Sequence, residues 1–165
     1  IIDKPIGKTS AQVVNRVRRF FNAQKAGHAG TLDPLASGIL PIAFGEATKT
    51  IPFAVDTLKE YKFDVSWGQK RDTDDSEGCI VETSDTRPNM EQIKKALSYF
   101  LGDINQVPPN YSAIKVNGRR AYDLARNHAI GSLPSRKVFI KTFNLEAIID
   151  QDHATFLVTS GKGTI

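Results

Sequence analysis

The chain is poor in the residues that build covalent or metal cross-links. Cys79 is the one cysteine among 165 residues, so neither an internal disulfide nor a cysteine-based zinc site is available. The three histidines, His28, His128 and His153, are too far apart in sequence for ligand spacing with one another, which makes a zinc site improbable. Apolar runs such as Ala147–Ile149 and Phe156–Val158 are far too short to span a bilayer. A disulfide-stapled secreted protein or a helical membrane protein is thereby excluded, and a cytoplasmic protein is expected. No signal peptide opens the chain and no internal repeat or Gly/Ser linker divides it. Opening on Ile1-Ile2 and closing on Gly163-Thr164-Ile165, the sequence reads as cut at both ends.

Two nucleotide or cation motifs are approached and missed. Gly7-Lys8-Thr9-Ser10 resembles the end of a phosphate-binding P-loop, but Ile2 stands where that motif needs its first glycine. Thr9-Ser10 is better explained as a helix cap. The acidic run Asp72, Asp74, Asp75 and Glu77 suggests a calcium loop. In an EF-hand register, however, Glu77 occupies the glycine position and Thr83 the glutamate position. A solvated acidic turn before Gly78 fits better.

Basic charge is concentrated in two blocks. Residues 1–25 hold Lys4, Lys8, Arg16, Arg18, Arg19 and Lys25 against Asp3, and residues 111–141 hold Lys115, Arg119, Arg120, Arg126, Arg136, Lys137 and Lys141 against Asp123. The whole chain is +4, so the rest is net acidic. Two such blocks form a polyanion footprint if folding unites them. Two solvated faces account for the charge equally well.

The 40% hydrophobic content and 24% charge are those of a globular domain, and the length suits one domain with a real core. Residues 10–22 have a helical stripe of Val13, Val14, Val17, Phe20 and Phe21, with Ser10 a possible cap. Residues 26–38 lack periodicity and predict a loop, and Pro41 restricts 39–44 to an edge strand or irregular segment. Residues 59–68 alternate, placing Tyr61, Phe63, Val65 and Trp67 on one strand face, with Cys79–Glu82 a plausible partner. Asn89 and Gln92 open a second helix over 90–101 that Gly102 closes. Ala113–Val116 predicts a strand, Asn117-Gly118 a turn, and Arg119–Arg126 a helical turn or two. Val138–Ile149 and Ala154–Thr159 predict a strand pair closed near Asp150–His153. Strands with irregularly spaced helices argue for an α+β fold.

The loop from Gly27 to Gly38 holds Gly30, His28 and Asp33 in a short span, with Pro34 stiffening the chain after the acid. Asp-Pro can simply start a turn. A rigid loop presenting one carboxylate between basic segments also suits covalent or acid–base chemistry on an anionic substrate. A carboxylate-dependent hydrolase would need a second acid facing Asp33, and this loop has none.

The run from Gly27 through Pro41, Gly27-His28-Ala29-Gly30-Thr31-Leu32-Asp33-Pro34-Leu35-Ala36-Ser37-Gly38-Ile39-Leu40-Pro41, followed by Gly45-Glu46-Ala47-Thr48-Lys49, closely resembles the signature of the bacterial TruB family of tRNA pseudouridine-55 synthases. Asp3 to Ser10, Tyr61, Asp72-Thr73-Asp74, and Tyr111 to Lys115 with Gly118, Tyr122 and Ala125-Arg126 extend the match nearly end to end. The resemblance implies a pseudouridine synthase fold, a mixed and mostly antiparallel sheet flanked by helices and loops with an RNA cleft across it. It implies that residues 1–165 form that family's catalytic domain without its C-terminal RNA-binding domain. The expected activity is isomerisation of the T-loop uridine at position 55 of tRNA, after the base flips out of its stack. The alternative is a non-catalytic RNA-binding or tRNA-folding module on the same fold.

By the same resemblance, Asp33 is the catalytic aspartate, Tyr61 lies against the target base, and His28 helps hold the flipped-out loop. Without it, Tyr61 reads as one more core aromatic. Lys4, Gly30, Thr31 and Lys115 from the matching motifs, with Arg119 and Arg120 from the second basic block, complete the expected RNA-binding set. No cofactor or metal is expected, because isomerisation transfers no electrons. The expected partner is the T-arm of tRNA, with no membrane and no obligate protein partner, and the chain is expected to be a monomer. The family's last motif, Lys-Gly-Thr-Tyr-Ile-Arg, departs here: Lys162-Gly163-Thr164 leads directly to Ile165.

Overall fold

A computed structural model describes residues 1–109, 111–112, 115–116, 119–121 and 133–164. The chain forms two compact units, Ile1–Thr57 and Leu58–Ile165.

The first unit is made of short strands around one helix. Strand β1 (Ile2–Lys4) pairs antiparallel with β3 (Gly38–Leu40), and β2 (Ala26–His28) pairs antiparallel with β4 (Ile42–Phe44). Pro41 separates β3 from β4. It has no N–H for a ladder, but its carbonyl accepts the Ala29 N–H at 2.9 Å. The expected single segment over 39–44 is therefore two strands with different partners, and the expected loop over 26–38 begins with a strand. Helix α1 (Ser10–Phe20) buries Val13 and Val14 and turns its arginines outward. Thr9, not Ser10, is the N-cap: its side chain accepts from the Gln12 N–H, and the Gln12 side chain accepts from the Thr9 N–H. A 3-10 segment (Gly45–Thr50) leads into α2 (Ile51–Val55). A β-carbon at Gly27 would come within 2.7 Å of Ile51 Cδ1, so glycine permits this close approach.

The second unit is a four-stranded antiparallel sheet in the order β5 (Lys59–Ser66), β12 (His153–Ser160), β11 (Arg136–Ile148), β8 (Gly102–Gln106). Period-2 patterning builds it. Alternate residues of the paired strands place Val65, Phe143, Leu145 and Phe156 in one cluster with Trp67, and α3 (Met90–Ser98) adds Ile93 and Leu97. Phe156 stacks on Phe63 at 5.8 Å between centroids and meets Phe143 and Trp67 edge-on. Burying one such ring contributes about 1.5–3 kcal/mol. The helix starts as its sequence predicts, with Asn89 and Gln92 forming a reciprocal capping box. Strand β7 (Ile80–Thr83) pairs with β6 (Gln69–Arg71) rather than with β5, which corrects the expected pairing.

Strands β9 (Lys115–Val116) and β10 (Arg119–Arg120) form an antiparallel pair. The expected helical turn at Arg119 is thus a strand at its first two residues. The Asn117-Gly118 turn and residues 122–126 lie outside the described residues. Mixed helices with antiparallel strands make this an α+β chain, as expected. Among the described residues no helix is long and apolar enough to cross a membrane.

Candidate active site

The segment between β2 and β3 is fixed to the turn after β1 and to the first residue of α1. The Ser10 hydroxyl donates to the Leu32 carbonyl at 3.0 Å and accepts the Leu32 N–H at 2.9 Å. The Gly7 N–H donates to the Pro34 carbonyl at 2.7 Å. These contacts hold the residue on each side of Asp33, and the Ala36 N–H closes a turn on the Asp33 carbonyl at 3.0 Å. Ser10 is buried, whereas the Asp33 side chain is exposed. The result is a carboxylate on a tethered backbone, open to a ligand, which is how a reacting group is held in place without blocking access.

His28 closes the same loop from its other end. Its Nδ1 makes a short hydrogen bond to the Gly30 carbonyl. A carbonyl only accepts, so Nδ1 carries the proton, and in the neutral ring Nε2 is left as an acceptor. Gly30 sits at φ +99, a conformation that favours glycine. Thr31, next in sequence, is exposed.

Lys4 departs from expectation. Its side chain is fully buried, and its ammonium donates to the Pro5 carbonyl at 2.9 Å and the Lys8 carbonyl at 2.7 Å. Instead of facing phosphate in solvent, it satisfies carbonyls of the turn that supplies Gly7 and Ser10. Desolvating a charge is expensive without such partners.

Tyr61, Lys115, Arg119 and Arg120 belong to the second unit. Tyr61 lies on β5 opposite Val158 and is 39% exposed, in contrast to the more buried Val65 and Trp67 of the same stripe. Arg120 is in register with Lys115 and Arg119 with Val116. In this unit Gly161, Lys162, Gly163 and Thr164 form a turn after β12, with Gly163 at φ +84. The Arg136 guanidinium donates to the Gly163 carbonyl, and its partial burial lowers its pKa from the ordinary value. Among the described residues no three of His, Cys, Asp and Glu converge on a possible metal position.

A family model described as TruB family pseudouridylate synthase, N terminal domain, matches residues 18–165. The chain belongs to the TruB family.

Two curated TruB-type relatives are similar over nearly the whole chain. A tRNA pseudouridine synthase B of Gluconacetobacter diazotrophicus is 58% identical over 163 residues, 99% of this chain and 53% of that protein. One of Caulobacter vibrioides is 56% identical, with the same coverage. The chain thus spans about half the length of the curated relatives it matches. Among solved structures, a chain of a Cbf5-Nop10-Gar1 complex aligns with a TM-score of 0.70 and 28% identity, over 99% of this chain and 39% of that one. A chain from an H/ACA RNP bound to a substrate RNA containing 2'-deoxyuridine aligns at a TM-score of 0.67 and 24% identity, over 99% of this chain and 37% of that one. The latter likeness concerns fold alone. Together these place the TruB-family chain in the pseudouridine synthase fold.

Sequence reasoning missed what Ser10 and Gly7 do. A usable signal was present: Thr9 with Gln12 three residues on is a capping-box pair, and assigning the cap to Thr9 leaves the adjacent Ser10 hydroxyl for another partner. Gly7, in the apparent P-loop remnant, instead donates its N–H to the residue after Asp33.

Proposed function

We propose that the full-length protein isomerises the T-loop uridine at position 55 of tRNA to pseudouridine, with Asp33 as its essential carboxylate. The observation that carries this reading is the exposed Asp33 side chain on a backbone tethered at Leu32 and Pro34, in a chain of the TruB family. Residues 1–165 belong to the catalytic domain. The reaction breaks the bond from uracil N1 to the sugar, turns the base, and joins its C5 to the same sugar carbon. The proton lost from C5 is balanced by the one gained at N1. No electrons leave the substrate, so no redox partner enters.

A uridine within a folded loop must leave its stack before its glycosidic bond can be reached. His28, fixed by the Gly30 carbonyl, supports the flipped-out loop, with Gly30 and Thr31 beside it. Tyr61 packs against the target base. Asp33 attacks the base or the sugar, or takes a proton from the sugar; each route needs an accessible, oriented carboxylate. Lys115, Arg119 and Arg120 engage phosphates, while Lys4 contributes by holding the turn on which the loop is tethered. The enzyme acts in the cytoplasm as a monomer without an obligate protein partner.

The test is to incubate full-length protein with unmodified tRNA and score each uridine by base-resolved chemistry. Pseudouridine at position 55 alone is the expected result. Release of free uracil would assign a hydrolase instead, and tight binding without product would assign a non-catalytic module.

A further inference from the structure

The outer face of α1 has no role in the site described above. Arg16, Arg19 and Phe20 lie at positions i, i+3 and i+4 and therefore share one helix face, which flanks the buried Val13 and Val14 and meets their stripe at Phe20, seven residues after Val13. Arg16 and Arg19 are exposed, and Phe20 is 82% exposed. Phe20 meets only an edge of Phe21 among the described ring contacts, at 5.0 Å. Lys25, just beyond the helix, is exposed as well.

No acid balances this face. From Lys4 to Leu32 the sequence contains no Asp or Glu, and among the described residues none of these cations takes part in an ion pair. The negative end of the helix dipole accounts for Arg19 in the last turn, but not for Arg16 a turn earlier, since like charges three residues apart repel. An exposed phenylalanine beside two arginines gains nothing from water either. Guanidinium groups next to an open aromatic ring do match an RNA strand: the cations meet phosphate, and the ring meets a base or sugar face.

The helix also sets the distance. Its first residue, Ser10, touches Leu32 beside Asp33, and Arg19 lies nine residues further on. At 1.5 Å per residue this is roughly 14 Å along the axis, far enough for the face to meet a part of the RNA other than the reacting uridine. We infer that the Arg16–Arg19–Phe20 face of α1 is a second RNA contact that grips the strand flanking the modified uridine. The inference rests on the proposed tRNA substrate and deepens it, because it assigns RNA contact to a surface away from Asp33.

The experiment compares full-length protein with an Arg16→Ala/Arg19→Ala variant by fluorescence anisotropy on labelled unmodified tRNA, from about 50 mM to about 200 mM salt. Removing two phosphate-binding cations is expected to weaken binding about tenfold at the lower salt and to reduce the log–log salt slope by about 1.4 to 1.8. Arg16→Lys/Arg19→Lys is expected to restore the slope, since charge rather than shape sets it. Phe20→Ala is expected to weaken binding about fivefold or more without changing the slope. Equal affinity and slope in the alanine variant would overturn the inference. So would unchanged RNA binding with an altered oligomeric state, which would assign the face to protein contact. Failure of the underlying reading is visible separately, in the parent protein, as absence of pseudouridine.

Discussion

Ser10 and Thr9 are adjacent hydroxyl residues with different work. Thr9 caps α1, whereas Ser10 is buried and exchanges two hydrogen bonds with Leu32. Replacing Ser10 by Ala leaves both backbone groups of Leu32 without that partner, at a cost of about 1–3 kcal/mol for a buried unsatisfied group. The expected outcome is a lower Tm by thermal denaturation together with a larger fall in pseudouridine formation than Thr9→Ala produces. Loss of stability with full activity would show that the tether does not position Asp33. The tight loop around His28 and Asp33 was legible from its glycines and proline, whereas the roles proposed for the two residues come from the family resemblance. The burial of Lys4 was not legible, because its partners are main-chain carbonyls, which leave no mark in the sequence.

At the scale of elements, legibility followed length and period. The alternating segment at Lys59–Ser66 and the hairpin of β11 with β12 were readable because a period of two persists over many residues. Strands β6, β9 and β10 have only two or three residues, too few for a period, and tertiary pairing decides them. Helix α3 was readable from its N-terminal cap, but it ends at Ser98 and Gly102 opens β8, so the expected close at 101 is three residues late. Asn89→Ala should remove the cap that accepts the Gln92 N–H and lower stability by about 0.5–2 kcal/mol, measured by denaturant unfolding. The β11–β12 turn carries a pH signature. The His153 hydrogen bond, aided by the Asp152 N–H, holds the Asp150 carboxyl below its usual range. A carboxyl depressed on folding stabilises the folded state above its unfolded pKa and loses that contribution as pH falls through the folded value. Asp150→Asn is therefore expected to weaken the loss of stability on acidification, checked by unfolding from neutral to strongly acidic pH. An unchanged acid limb would show that the turn does not contribute to it.

Across the whole molecule, the arrangement of charge says more than its total. The two basic blocks were visible in the sequence, and the structure shows that their members have different roles: Lys4 is internal, Arg136 holds a turn, and Arg16 and Arg19 are exposed. Charge counts cannot distinguish these, because burial and main-chain partners are properties of the fold. Replacing Arg119 and Arg120 by Ala is expected to flatten the salt dependence of tRNA binding by about 0.7 to 0.9 for each phosphate no longer neutralised. An unchanged slope would place the β9–β10 pair off the RNA.

The central claim is that the carboxylate of Asp33 does the chemistry. The most direct measurement is single-turnover pseudouridine formation by Asp33→Asn full-length protein on unmodified tRNA, with tRNA binding measured in parallel. An amide keeps the shape of the side chain but is neither an anionic nucleophile nor a useful base. Binding should persist, since phosphate contacts and loop shape carry most of the affinity, while product falls to a trace of the parent rate. Conversion by Asp33→Asn at a substantial fraction of the parent rate would contradict the assignment and require the reacting carboxylate to be another residue.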